Sequence, residues 1–160
     1  MLNKPKFGMI REIHVTDDEG NDYVVKLEYN GMTSIYYMNL IGSDMMQDMV
    51  DSLSNEDSMT IFKNLSKEEM ENPETMPIEK RTAVLEVLNK TNYMKFFRNF
   101  IAVLFYTAHR DCELSLETIL ADYLPSDLME NEAIVNAASE MLNMKVDKLL
   151  KKNTKLLSKS

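Results

Sequence analysis

The one cysteine of the chain, Cys112, follows one of its two histidines, His109, by three residues within FYTAHRDCELSLETILADYLPSD, residues 105–127. A thiol and an imidazole so close could form a nucleophile and its base, provided that the histidine or a helix N-terminus stabilises the thiolate. The local sequence puts the pair at the opposite kind of helix end. An apolar helical run finishes near His109-Arg110, so Cys112 lies past a C-terminus whose partial negative charge opposes thiolate formation, and Asp111 and Glu113 flank it. His109 and Arg110 suit a last helical turn, where they meet unpaired carbonyls. ELSLETILADYL then reads as a new helix, with Ser115 as N-cap, Glu117 in the first turn and Leu116, Ile119, Leu120 and Tyr123 as its buried stripe. The stretch is expected to be helix, tight turn and capped helix, and no catalytic residue is assigned to it.

Other chemical templates are incomplete. The four glycines stand alone at 8, 20, 31 and 42, with neither a P-loop nor a dinucleotide fingerprint, so no nucleotide site is indicated. Asp17, Glu19, Asn21 and Glu28 mimic ligand positions of a calcium loop, but Asp22 stands where that loop requires glycine and the flanks read as strands. Two histidines ninety-five residues apart and a single cysteine carry no zinc signature. Carboxylates are abundant, yet nothing selects a pair for acid–base work. Phe96, Phe97, Phe100 and Phe105 fall at core spacing rather than interleaved with basic residues, which makes them poor base-stacking candidates. No enzyme activity, cofactor or metal is therefore expected.

The elements that would position any site follow from periodicity. DYVVKLEYN alternates, with Tyr23, Val25, Leu27 and Tyr29 on one face, and the preceding MIREIHVT can pair with it through the turn Asp17–Asn21, where Gly20 tolerates positive φ. His14 then lies on the polar face beside Glu12. After Asn30-Gly31 the period becomes helical: Thr33 or Ser34 can cap SIYYMNLI, and Gly42, Ser43 and Asp44 end it and start MMQDMVDSL. SNEDSMTIFKNL reads as a further capped helix, and ENPETMP, with Pro73 and Pro77, as a hinge or mobile loop inside the domain. Residues 78–110 form the longest helical stretch and the hub of the core. Val84, Leu85, Leu88, Met94, Phe97, Ile101, Leu104 and Phe105 are its apolar positions, with a break expected around NKTNY. The last helix is expected to start after Pro125 with Ser126 or Asp127 as cap. Leu128, Val135, Leu142 and Leu149 recur every seven residues, flanked by Ile134, Ala138, Met141 and Val146: a docked helix, or alternatively a seam for self-association. The expected fold is mainly α in one domain of 160 residues: a small N-terminal β-hairpin over 1–31, a compact multi-helix bundle over 32–150 and a basic, frayed tail over 151–160.

Composition narrows the partners. The longest apolar stretch, 93–108, is interrupted by Lys95, Arg98 and Asn99, short of the ~20 apolar residues of a membrane span. With one cysteine and no basic-plus-apolar leader, a reducing cytoplasm is the expected home. The net charge of −8 is uneven: from Met141 onward six lysines face only Asp147, a net +5, which leaves −13 on residues 1–140. Such a body should repel nucleic acid. Fourteen methionines suit surfaces that accommodate variable apolar partners, although nucleotide bias in the genome would enrich Met, Asn, Lys and Ile equally well.

The whole pattern resembles the tail assembly chaperones of long-tailed, siphovirus-like phages and prophages. The strand DYVVKLEYN, the helix after NGMTS and the apolar helix ending LFYTAHRD followed by LSLETILADYL carry the resemblance, over about Asp22 to Asp127. The acidic, proline-containing region 56–77, Cys112 in a turn that often carries proline, and the lysine-rich end depart from it. The resemblance implies a non-enzymatic protein of the host cytoplasm, absent from the mature virion. It would bind the hydrophobic helical tape measure protein and recruit tail tube subunits, and members are often also made as a longer frameshifted product. Met45, Met46 and Met49 beside Asp44, Asp48 and Asp51, together with Met141 and Met144, are the expected contact surface, the competing reading being that these methionines complete the core. The alternative function is an acidic adaptor or inhibitor that masks a basic surface of a host protein with the nine acids between Asp44 and Glu74.

Overall fold

A computed structural model of the chain describes residues 3, 7–53, 63–90 and 92–143. The fold is mainly α with a small N-terminal β-hairpin. Strands β1 (Met9–Thr16) and β2 (Asp22–Tyr29) pair antiparallel, Met9 opposite Tyr29 and Thr16 opposite Asp22. The turn between them is closed by Asp17, whose carboxylate accepts the backbone N–H groups of Glu19 and Asn21, and by Gly20 at φ +86°. Ile13, Val15, Val25 and Leu27 point into the core, whereas His14 is exposed.

Helix α1 (Thr33–Ile41) is entered differently from the sequence expectation. Thr33 is its first helical residue rather than its cap: the Asn30 side chain accepts the Met32 N–H at 2.8 Å, and the Thr33 hydroxyl accepts the Asn30 N–H at 2.9 Å. Gly42 ends α1 at φ +90°, returning its N–H to the Met38 carbonyl, and Asp44 caps α2 (Met45–Leu53) by accepting the Gln47 N–H. Most of the SNEDSMTIFKNL helix and its expected cap lies outside the described residues. In ENPETMP the expected hinge is a 3-10 turn, Pro73–Thr75, held by buried Met76 between α3 (Lys67–Glu71) and α4 (Ile78–Lys90). A capping box closes the start of α3: Ser66 accepts the Glu69 N–H and the Glu69 carboxylate accepts the Ser66 N–H.

The hub is α5 (Tyr93–Ala108), preceded by Asn92 in the left-handed conformation at φ +60°. Ten of its sixteen residues are buried, and β2, α1, α2, α4 and the segment after α5 pack around it. The N-terminal half of the predicted 78–110 stretch does not share that burial. Leu85 and Ile78 are exposed and Val84 is half-buried, while the side chain of Leu88, also expected in the core, lies outside the described residues.

After α5, Ser115 caps a single turn, α6 (Leu116–Thr118), which widens into a π turn, Ile119–Tyr123, closed by the Leu124 N–H on the Ile119 carbonyl. The extra residue per turn shifts the helical phase, so Ile119 and Leu124 are buried while Tyr123, expected inside, is 45% exposed. Leu128–Glu130 is a 3-10 turn, and the last helix, α7 over 132–143, is capped by Asn131 accepting the Ile134 N–H, not by Ser126 or Asp127. Its inward stripe is Ile134, Ala138 and Met141, flanked by Ala137 and Leu142.

Phe100 is fully buried, with the rings of Tyr29, Phe96 and Phe97 centred 6.0–6.4 Å away. Truncating it to alanine opens a cavity at the centre of the core, so urea denaturation of Phe100→Ala should show a loss of about 3–5 kcal/mol. Leu85→Ala, on the outer side of α4, should change stability by no more than about 0.5 kcal/mol in the same assay.

Candidate binding surface

Cys112 and His109 end up beside one cleft but not in a catalytic relation. The Cys112 backbone N–H donates to the His109 carbonyl at 2.9 Å, which makes the tight turn that the sequence suggested, and the thiol is exposed. The His109 ring lies 4.3 Å from that of Phe105, and its Nε2, though buried, has no hydrogen-bond partner. Burial, reinforced by the charge of Lys26, pushes the His109 pKa down, which favours the neutral imidazole. Among the described residues no three His, Cys, Asp or Glu side chains converge as a metal site, and no helix is long and apolar enough to cross a membrane.

The methionines proposed as a contact surface face the other way. Met45, Met49 and Met141 are core side chains, 2%, 8% and 2% exposed, and Met46 is partly buried against the same core. In this conformation those residues offer little surface to a client, because α2 and α7 turn them into the core. Met144 lies outside the described residues. Sequence periodicity could not separate an inward from an outward methionine stripe, since both have helical spacing.

Among the described residues an outward apolar stripe lies on α1 and its N-cap. The inner side of α1, Thr33, Tyr36, Tyr37, Leu40 and Ile41, is buried or partly buried, while Met32, Ile35 and Met38 are 42%, 48% and 45% exposed at i, i+3 and i+6. The signal was present in the sequence: MTSIYYMNLI is apolar nearly all round, more than one buried face requires. Val50 on α2 is also exposed.

Several acids of the run from Asp44 to Glu74 are occupied by internal partners. Asp48 accepts the Tyr37 hydroxyl at 2.8 Å and the Ser43 hydroxyl, on the wall of a cleft of about 540 Å³ that Lys95 and Arg98 share. Glu69 pairs with Lys80 at 2.8 Å, and this bond, with the Ser66 N–H, holds its carboxyl below the usual range. Tyr37 is fully buried, and burial first, then the hydrogen bond and charge of Asp48, push its phenol well above the usual value of 10.0.

Because the folded-state phenol resists ionisation more than the unfolded one, its contribution is fully present below about pH 10 and is lost as the pH rises toward the folded value. Tyr37→Phe should therefore flatten the alkaline decline of stability, measured by thermal melts between neutral and strongly alkaline pH. At neutral pH it should cost about 1–2 kcal/mol through loss of the bond to Asp48. Comparison of the chain with family models, with curated proteins and with solved structures returned no match.

Proposed function

We propose that the chain is a tail assembly chaperone of a long-tailed phage or prophage. It acts without enzymatic chemistry in the host cytoplasm, holding the hydrophobic helical tape measure protein soluble and helping to recruit tail tube subunits. The observation that supports this reading is the outward face of α1, where Met32, Ile35 and Met38 form an exposed apolar stripe on an acidic body. Exposed apolar side chains at helical spacing suit a groove-and-helix contact, and two of the three are methionines, whose unbranched thioethers adapt to varied client side chains. The net negative charge keeps such a carrier from associating through the same stripe. In this reading α1, rather than Met45, Met49 and Met141, is the client face, because those three are turned inward. The acidic-adaptor alternative has less to work with, since Asp48 and Glu69 are taken up internally.

The test is coexpression with the tape measure protein of the same genome, followed by size-exclusion chromatography with light scattering at low and high salt. A soluble complex that survives high salt is expected, as apolar contact is little screened. The double substitution Ile35→Ser, Met38→Ser should leave the circular dichroism and melting temperature nearly unchanged while the client returns to aggregates. An unaltered complex with that variant, or a tape measure protein that aggregates beside the wild-type chain, overturns the assignment. Dissociation by salt alone would favour the adaptor.

A further inference from the structure

The cleft of about 540 Å³ beside Asp48 has walls of opposite charge: Lys95 and Arg98 come from α5, Asp48 and Asp51 from α2. Its apolar part is supplied by Ile41, Phe96, Leu116 and Leu120. Two cations and two acids leave the lining without net charge, so its character is the separation of the signs rather than an excess of either.

Three features point to an occupant. First, Asn99, on the α5 wall, is only 7% exposed, yet its side chain has no hydrogen-bond partner among the described residues. Its carboxamide is not sealed from the cleft, unlike the buried Nε2 of His109. A carboxamide so far out of water is costly to leave unpaired, and it offers both a donor and an acceptor. Second, neither Lys95 nor Arg98 forms an ion pair or a side-chain hydrogen bond among the described residues, although acids share the lining. The first turn of α5 also carries no acid, and its N-cap Asn92, another lining residue, makes no side-chain capping bond, which leaves the positive helix end unanswered. Third, the Tyr37 and Ser43 hydroxyls both donate to one oxygen of Asp48, Oδ2, and Oδ1 has no partner among the described residues.

We propose that this cleft binds a free α-amino acid with an apolar side chain, as the zwitterion. The carboxylate meets Lys95, Arg98 and the positive end of α5, and the Asn99 carboxamide donates to it. The ammonium donates to Asp48 Oδ1, with Asp51 on the same wall, and the apolar side chain lies against Ile41, Phe96, Leu116 and Leu120. A simple anion would meet the acids of α2 and a simple cation would meet Lys95 and Arg98, whereas a zwitterion satisfies both walls. The cleft is within the range of roughly 300–1,000 Å³ typical of small-molecule sites. The proposal is independent of the α1 client face, because Met32, Ile35 and Met38 do not line this cleft.

The full-length chain, isotopically labelled, would be titrated with L-leucine, L-methionine and L-phenylalanine, each up to ~20 mM, and followed by amide NMR, a range that captures a Kd of about 1 mM. At least one should shift the Asn99 side-chain NH2 pair together with the backbone amides of Ser52, Lys95 and Arg98. Removing either charge of that ligand, as its amide or its N-acetyl derivative, should weaken binding by about tenfold or more. Arg98→Gln, at an exposed position, should weaken it by about tenfold with the melting temperature unchanged. Asn99→Leu, which replaces an unpaired polar group by an apolar one of similar size, should abolish binding in a folded chain. Binding of none of the three amino acids, equal binding of the amide or N-acetyl derivative, or shifts centred away from this cleft would each overturn the proposal.

Discussion

Helix α5 must be covered on nearly every side, and the remaining elements are arranged by that requirement. A helix with Phe96, Phe97, Phe100, Ile101, Val103, Leu104 and Phe105 spread around its circumference has no face fit for water except the narrow one carrying Lys95 and Arg98. Burying each of those side chains is worth about 1.5–3 kcal/mol relative to exposure, a drive that no neighbouring element can satisfy alone. The hairpin covers one side through Val25 and Leu27, α1 and α2 another through Tyr37, Met45 and Met49, and Ile119, Leu124 and α7 contribute to the rest. Because α2 and α7 are used in this way, their methionines are not free for a partner.

Polar groups fix the geometry that apolar burial leaves loose. The Thr107 hydroxyl donates to the Val103 carbonyl at 2.7 Å and lies 3.4 Å from the Thr33 hydroxyl, which itself accepts the Asn30 N–H. With the Thr107 proton so used, Thr33 is the donor between the two, and the chain of bonds sets where α1 begins against α5. Arg110, just past the end of α5, donates to the Thr107 carbonyl at 3.0 Å and pairs with Glu28 of β2. A cation there also meets the negative end of the α5 dipole. Tyr37 and Asp48 do the same for α1 and α2. Left unsatisfied, each of the buried hydroxyls of Thr33, Tyr37 and Thr107 would cost about 1–3 kcal/mol, so they act as specificity devices as much as sources of stability.

Two of the surface features among the described residues differ in kind. The α1 face is apolar, open and adaptable, as suits a helical client bound by shape and burial. The cleft at the hairpin turn is lined by the aromatic rings of Tyr23, Phe105 and Tyr123, with Asp17 and Asp122 beside them. Both arise as by-products of covering α5: α1 has apolar residues to spare once Tyr37 is buried and Leu40 partly so, and the π turn that brings Leu124 inward leaves Tyr123 exposed.

The amino-acid sequence by itself determined what is local. Alternation in DYVVKLEYN, the Asp17–Gly20 turn, Gly42 with Asp44 behind it, the weak helix formers at Asn89–Asn92 and Ser115 as a cap each act within a few residues of themselves, and hairpin, helix breaks and the helical restart follow from them. The apolar density of 93–108 likewise marked the hub. Tertiary structure alone decided which of several equivalent stripes faces inward, because periodicity gives a face and not its neighbour. Met45 and Met49 went in, while Met38 and Leu85 stayed out. It also decided the phase of ILADY, where one added residue in a π turn exchanged Tyr123 for Leu124, and the meeting of Asp17, His109 and Asp122, which are distant in sequence and adjacent only because β2 and the π turn both pack against the same helix end.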